Sequence, residues 1–280
     1  MTANQPTPVK RSPRQTRLEV VDVVDLTPRM RRIVLGGSEL ASFAANDFAD
    51  QYVKLLFRQP GVDYGEPFDI GFVRENLPRA DHPVPRTYTV RYFDADRALL
   101  ALDFVVHGDE GIAGPWAATA HKGDEVILLG PGGAYSPSPA ADWHLIVADE
   151  SALPAALNAV EALPDTARGQ VFLEVADQTE EQPVDAPSGV DVVWLHRGAD
   201  PTGSMIVNAV TSAPWPAGRV HAFVHGEAGF VRKLRTHLRE DRELASDQLS
   251  ISGYWRAGKT DEVFREEKRA EKMQQAKATT

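Results

Sequence analysis

Six consecutive residues, Arg86-Thr87-Tyr88-Thr89-Val90-Arg91, concentrate unusual chemistry for their length. An arginine offers a two-pronged fork for phosphate, a tyrosine a flat face for a ring, and a threonine hydroxyl a donor for a ring nitrogen. The run follows Pro83-Val84-Pro85. Prolines are excluded from central strands and bias the residues before them to extended geometry, so a strand is expected from Arg86 to Phe93. Strict alternation puts Arg86, Tyr88 and Val90 on one face and Thr87, Thr89 and Arg91 on the other. Read alone, the stretch is equally compatible with an exposed edge strand whose Arg and Tyr snorkel.

Other chemistry-bearing groups are scattered. Gly114-Pro115-Trp116-Ala117 reads as the first turn of a helix, and free backbone N–H groups there make an anion site. The bland alternative is an ordinary capped helix with Trp116 in the core. His107 ends the strand Asp103 to Val106, where it either meets a ligand or caps its own loop. Lys54 is a cation inside the apolar strand Tyr52–Phe57, and Arg256 follows the aromatic pair Tyr254-Trp255. His221 and His225, four apart on a strand, do not make a compact chelate, and no metal site is expected.

These residues must be held by elements of two kinds. From Leu18 to Leu129 short β-type segments alternate with turns: Leu18–Asp25, Arg31–Gly36, Tyr52–Phe57, Arg86–Phe93, Ala98–Val106 and Glu125–Leu129. That pattern predicts an antiparallel β-barrel. The stretch Gly61 to Pro85 is long for a loop in a compact domain, which marks it as functional or disordered. Gly130-Pro131-Gly132-Gly133-Ala134-Tyr135 and the Ser/Pro-rich residues after it read as a linker. Beyond it, strands at Trp143–Ala148, Val171–Val175, Val190–Leu195, Val220–Val224 and Leu249–Tyr254 alternate with helices at Ser151–Leu163 and Phe230–Arg239. This is an α/β domain with a parallel sheet. A charged helix, Asp261 to Met273, is expected to be solvated on most of its surface.

In such a sheet ligands bind outside the C-terminal strand ends. Four ends carry suitable residues: Ala148-Asp149-Glu150-Ser151, Glu174 to Asp177, His196-Arg197-Gly198, and His225-Gly226-Glu227. The first opens a helix with small residues but lacks a glycine-rich fingerprint. Arg197 on a 2′-phosphate would favour NADPH; Glu174 or Asp177 on ribose hydroxyls would favour NADH.

The whole chain sets the outer bounds. With 280 residues, 42% hydrophobic and 25% charged, it fits two soluble domains. No cysteine is present, which removes disulfides, cysteine-held clusters and thiolate nucleophiles. A net charge of −10 argues against general nucleic-acid binding. No apolar run approaches the roughly 20 residues needed to span a bilayer. Residues 1–17 read as a loose basic arm without the apolar core of a signal peptide, so the cytoplasm and a monomer are the default expectations.

Together these segments resemble the siderophore-interacting protein family of the ferredoxin–NADP⁺ reductase superfamily. The similarity rests on Arg86-Thr87-Tyr88-Thr89, on Asp103 to Gly108 leading to Gly114-Pro115-Trp116-Ala117, on Gly130 to Gly133, on Asp149 to Ala155, and on Gly253-Tyr254-Trp255-Arg256. It implies an FAD-binding barrel at 18–135 and an NAD(P)H-binding α/β domain at 141–280. The implied activity is FAD-dependent reduction of a ferric siderophore by NADPH or NADH, with the flavin itself carrying the chemistry. Carried onto matching positions, Arg86 would neutralise the FAD pyrophosphate and Tyr88 would lie along the isoalloxazine. Thr87 shares that motif, and Thr89 would bond near the flavin's N5. His107 would reach the nucleotide part, with Gly114, Pro115, Trp116 and Ala117 completing the phosphate site. Asp149, Glu150, Ser151, Ala152, Arg197 and Glu227 are the NAD(P)H candidates, and Lys54 and Arg256 the siderophore candidates. Two other readings share these residues: a general flavin reductase, and a non-redox siderophore-binding or iron-shuttling protein.

Overall fold

The structure, a computed structural model, describes residues 14–108, 111–200 and 203–278. Six antiparallel strands close a barrel: β1 (Gln15–Thr27), β2 (Met30–Gly36), β3 (Tyr52–Phe57), β4 (Val84–Asp94), β5 (Leu99–Val105) and β6 (Glu125–Gly132). Their order around the barrel is β1-β2-β5-β4-β3-β6. Alternation turns Leu18, Ile33, Val53, Leu55, Leu100, Leu102, Phe104 and Leu128 inward, where they are dry. Each such burial contributes roughly 1.5–3 kcal/mol of transfer free energy. β1 starts before the expected Leu18, because Gln15, Thr16 and Arg17 pair with Leu129, Leu128 and Ile127 to close the barrel. The end of the expected arm is therefore strand; Met1 to Pro13 lie outside the described residues.

Two more stretches differ from expectation. β6 runs on through Gly130-Pro131 to Gly132, since β3 presses so close that a Cβ on Gly132 would come within 2.5 Å of the Tyr52 ring. The Gly61–Pro85 stretch is ordered. It carries α1 (Ile70–Asn76), whose Asp69 carboxylate accepts from the N–H groups of Gly71 and Phe72. Tyr64, Phe68, Ile70 and Val73 pack with Leu56, Ile127 and Leu129 outside the barrel. A second short helix, α2 (Ala113–Thr119), follows β5.

The second half is a five-stranded parallel sheet with helices. Its elements are β7 (Trp143–Asp149), α3 (Leu153–Glu161), β8 (Arg168–Val175), β9 (Gly189–His196), α4 (Ser204–Ser212), β10 (Val220–Glu227), α5 (Ala228–Thr236), β11 (Leu249–Trp255) and α6 (Asp261–Ala278). The order β11-β10-β7-β8-β9 reverses direction at β7, which makes its C-terminal end a topological switch point. Core residues fill both faces, α3 covering one and α4 with α5 the other. On the outer side of β11, Arg235 donates to the Ile251 carbonyl and Lys268 to that of Gly253, at 3.4 and 2.8 Å. Among the described residues no helix is long and apolar enough to cross a membrane.

The halves meet along α3. Met30 and Ala49 of the first half join the α3-side core, and Glu180 accepts from the Thr27 hydroxyl at 2.5 Å.

Candidate functional site

β4 pairs with β3 so that Arg86 opposes Leu55, Thr87 opposes Lys54, and Tyr88 opposes Val53. Opposed residues share a face, so Thr87 and Lys54 stand together on the outside. Arg86 lies mostly covered, its guanidinium paired with Asp261 at 3.2 Å and with Glu262, both at the start of α6. Arg265, one turn on, donates to the Pro85 carbonyl at 2.6 Å and to the Thr87 hydroxyl at 3.5 Å. α6 is thus not merely a solvated helix. It lies across β4.

Tyr88 is packed against Phe104 with ring centroids 4.0 Å apart, and Phe104 in turn meets Trp116. Burial raises the phenol's pKa well above its usual range. Thr89 is buried beside it. Gly114, Pro115, Trp116 and Ala117 lie in the first turns of α2, which Arg31 closes at the far end by donating to the Ala117 and Ala118 carbonyls. His107 is exposed just past β5. Beside it the β1–β2 turn, Val106 and Ala118 line a crevice of about 340 Å³.

The sheet's switch point gathers the other set. Asp149 is buried and accepts five hydrogen bonds: from Ser151 N, Ser151 Oγ and Ala152 N on Oδ1, and from Glu227 N and Trp255 Nε1 on Oδ2. Desolvation pushes its pKa up, while the donors favour the carboxylate. Its geometry ties together the ends of β7, β10 and β11. Gly226 must be glycine for this: its φ is 142°, and a Cβ would come within 2.6 Å of the Asp149 carboxyl carbon. Glu150 and Arg197 form a two-pronged pair, each contact 2.6 Å. Arg197 is therefore engaged by a carboxylate rather than open to a 2′-phosphate. Glu227 caps α5 by accepting from Gly229 N and Phe230 N.

A short segment joins the two sets, because Trp255 touches Asp149 and Asp261 touches Arg86. Tyr254 feels Asp149 from its own sheet and Asp50 and Tyr52 from the barrel side. The end of β11 therefore faces the start of β3, and the segment after it reaches β4 through Asp261.

The structure separates the two siderophore candidates. Arg256 pairs with Glu267 at 3.1 Å and lines a crevice between α5 and α6. Lys54 faces Arg265, Arg74 and Arg269. Burial of its stem and these three positive neighbours lower its pKa. Among the described residues its ammonium has no ion-pair partner. Arg74 sits on α1 and Arg265 and Arg269 on α6, positions that only the folded chain assembles.

Known proteins fit this layout. Residues 19–135 match the siderophore-interacting FAD-binding domain, and residues 141–258 match the siderophore-interacting protein model. The chain belongs to the siderophore-interacting protein family. Among relatives of this family, the ferric vibriobactin reductase ViuB of Vibrio cholerae is 38% identical over 247 residues, covering 87% of this chain and 90% of that one. The NADPH-dependent ferric-chelate reductase of Escherichia coli is 30% identical over 261 residues, covering 91% and 98%. The crystal structure of a siderophore utilization protein from T. fusca superposes with a TM-score of 0.77 at 40% identity, covering 90% and 96%.

The residues present suit FAD in a siderophore-interacting protein. Arg86 is the mostly covered cation of the motif but, like Arg197, it is engaged by carboxylates, so a diphosphate would hold it by displacing Asp261 and Glu262 of α6. Of the residues expected from the sequence, the structure places Arg86 against α6, Asp149 at the switch point and Lys54 among arginines. The sequence signal missed Asp261, Glu262 and Arg265, whose roles rest on where α6 lands, and it gave Trp255 no partner.

Proposed function

We propose that this protein is an FAD-dependent NAD(P)H:ferric-siderophore oxidoreductase acting in the cytoplasm. The observation that supports it best is the juxtaposition of β4 with the switch point of the parallel sheet, bridged by Trp255 to Asp261. FAD, when bound, supplies two-electron oxidation of NAD(P)H and one-electron delivery to ferric iron. Arg86 would hold its diphosphate, Tyr88 and Thr89 would border the ring, and His107 with the neighbouring crevice would receive the nucleotide end. The opening turns of α2, from Gly114 to Ala117, stand beside that crevice. Asp149 stiffens the turn at Ser151 and Ala152 against which the dinucleotide would lie. The Lys54, Arg74, Arg265 and Arg269 cluster would draw an anionic ferric complex to the outer side of β4.

Visible absorption of the FAD-loaded protein tests this, recorded before and after anaerobic NADPH. Bands that bleach, and return when a ferric siderophore is added with a ferrous-iron chelator developing colour, are the expected result. A protein that takes up no FAD would overturn the reading in favour of a siderophore carrier.

A further inference from the structure

Arg91 is the member of the β4 motif to which the flavin and siderophore roles give no task. Register between β4 and β5 shifts at this residue: Val90 opposes Leu102 while Tyr92 opposes Ala101. The extra residue is a β-bulge, and it is Tyr92 that leaves simple alternation there, exposed while Phe93 packs on the barrel core. Arg91, on the outer face that it shares with Thr87, reaches α3 of the second domain. Its Nη1 donates to Asn158 Oδ1 at 2.9 Å and to Glu161 Oε2 at 2.8 Å, and its Nη2 to Glu161 Oε1 at 2.5 Å. Asn158 directs the rest of its amide at the barrel backbone. Its Nδ2 donates to the carbonyls of Val90 at 2.9 Å and Ala49 at 3.1 Å.

The node sits where it can govern geometry. Arg86 and Arg91 both lie on β4, and α3 leads from the Asp149–Ala152 turn to Glu161. The two segments that face the cofactors are thus joined to each other through Arg91. Apolar contacts across the joint, such as Ala49 within the α3-side core, are non-directional. A guanidinium fork with an amide satisfied on both sides fixes orientation as well as proximity.

We propose that Arg91, Asn158 and Glu161 are positioning residues that hold the nucleotide domain against β4 and so set the hydride donor–acceptor distance. This rests on the reading that β4 borders the flavin and the sheet's switch point holds NAD(P)H. A misplacement of about 1 Å costs on the order of 10²-fold in rate, so loss of the node is expected to matter out of proportion to its modest stability.

Glu161→Gln, Asn158→Ala and Arg91→Lys test it in two half-reactions. Reduction of the FAD-loaded protein by NADPH should slow about tenfold or more in the first two variants. Reoxidation of dithionite-reduced protein by a ferric siderophore should stay within about twofold of the unmodified chain, because that step does not cross the joint. Arg91→Lys keeps the cation but not the fork and should fall between. A second readout needs no cofactor. The chain has no cysteine, so nitroxide labels at Glu75→Cys and Glu240→Cys, exposed and one per domain, report the spread of interdomain distances. That spread should widen in Glu161→Gln and Asn158→Ala. Unchanged NADPH reduction with an unchanged distance distribution would overturn the proposal, as would equal losses in both half-reactions with a matching fall in thermal midpoint. If the unmodified chain is not reduced by NADPH, the functional reading fails and the label distances alone decide whether the node holds the domains.

Discussion

Lys54 shows how little a residue's type says until its neighbours are known. A lysine in an apolar strand reads equally well as half of a salt bridge. Here the charges around it are Arg265, Arg74 and Arg269, all positive. Arg265 is offset by Asp261 at 2.8 Å, but Lys54 has no ion-pair partner among the described residues, and an anionic ligand would relieve its cost. Lys54→Ala should raise the apparent KM for an anionic ferric siderophore about five- to tenfold, the size of one charge-assisted contact, while NADPH-driven flavin reduction is unchanged. Arg256→Ala should do less, since Glu267 already engages that residue. Equal KM shifts in both variants would contradict this division.

Two buried histidines act on stability instead. Burial depresses His225 to about 3, with positive Lys268 adding to the effect, and burial with His221 nearby takes His144 to about 4, both from 6.5. Both Nδ1 atoms are buried without a hydrogen-bond partner. The unfolded chain protonates these rings as pH falls through 6.5, whereas the folded chain does not, so folding weakens on acidification. From pH 6.5 down to pH 5 each ring should remove about 1.5 kcal/mol. Thermal midpoints across that range should fall, and His225→Phe should flatten the slope by about half. A slope that His225→Phe leaves unaltered would place the titration elsewhere.

At the level of elements, legibility followed periodicity. The barrel strands announce themselves by alternation between turn residues, and Gly132 and Gly226 sit where the Tyr52 ring and the Asp149 carboxylate press on the backbone. α4 went unread because Ile206, Val207, Val210 and Thr211 are β-branched and weigh against a helix locally; Ile206 and Val210 earn their place by packing on the sheet. α1 hid in a polar, proline-bearing stretch whose few apolar residues only make sense against the outside of the barrel. Alternation placed Arg91 on the Thr87 face, which does point outward, but nothing local encodes the bulge that turns Tyr92 or the partners that Arg91 meets on α3. α6 was recognised as a helix, but its partners were not. The pairing of Asp261 and Glu262 with Arg86 joins residues about 175 positions apart, and nothing local encodes it.

For the molecule as a whole, the contrast between its two sheets carries a consequence. Barrel closure leaves no unpaired strand, but the parallel sheet ends at β9 and β11. An exposed terminal strand presents free carbonyls and N–H groups to any other chain, a template for intermolecular pairing. On β11 those carbonyls are taken by Arg235 and Lys268, two long cations that satisfy the backbone yet repel a like-charged copy. Deleting the chain after Gly258 removes Lys268 along with α6. Light scattering of that variant should show mass rising with concentration, where the intact chain does not, and a flat profile for both would show the guard to be unnecessary. One face of the C-terminal helix meets Arg86 on β4, and Lys268 on another covers a carbonyl of the terminal strand.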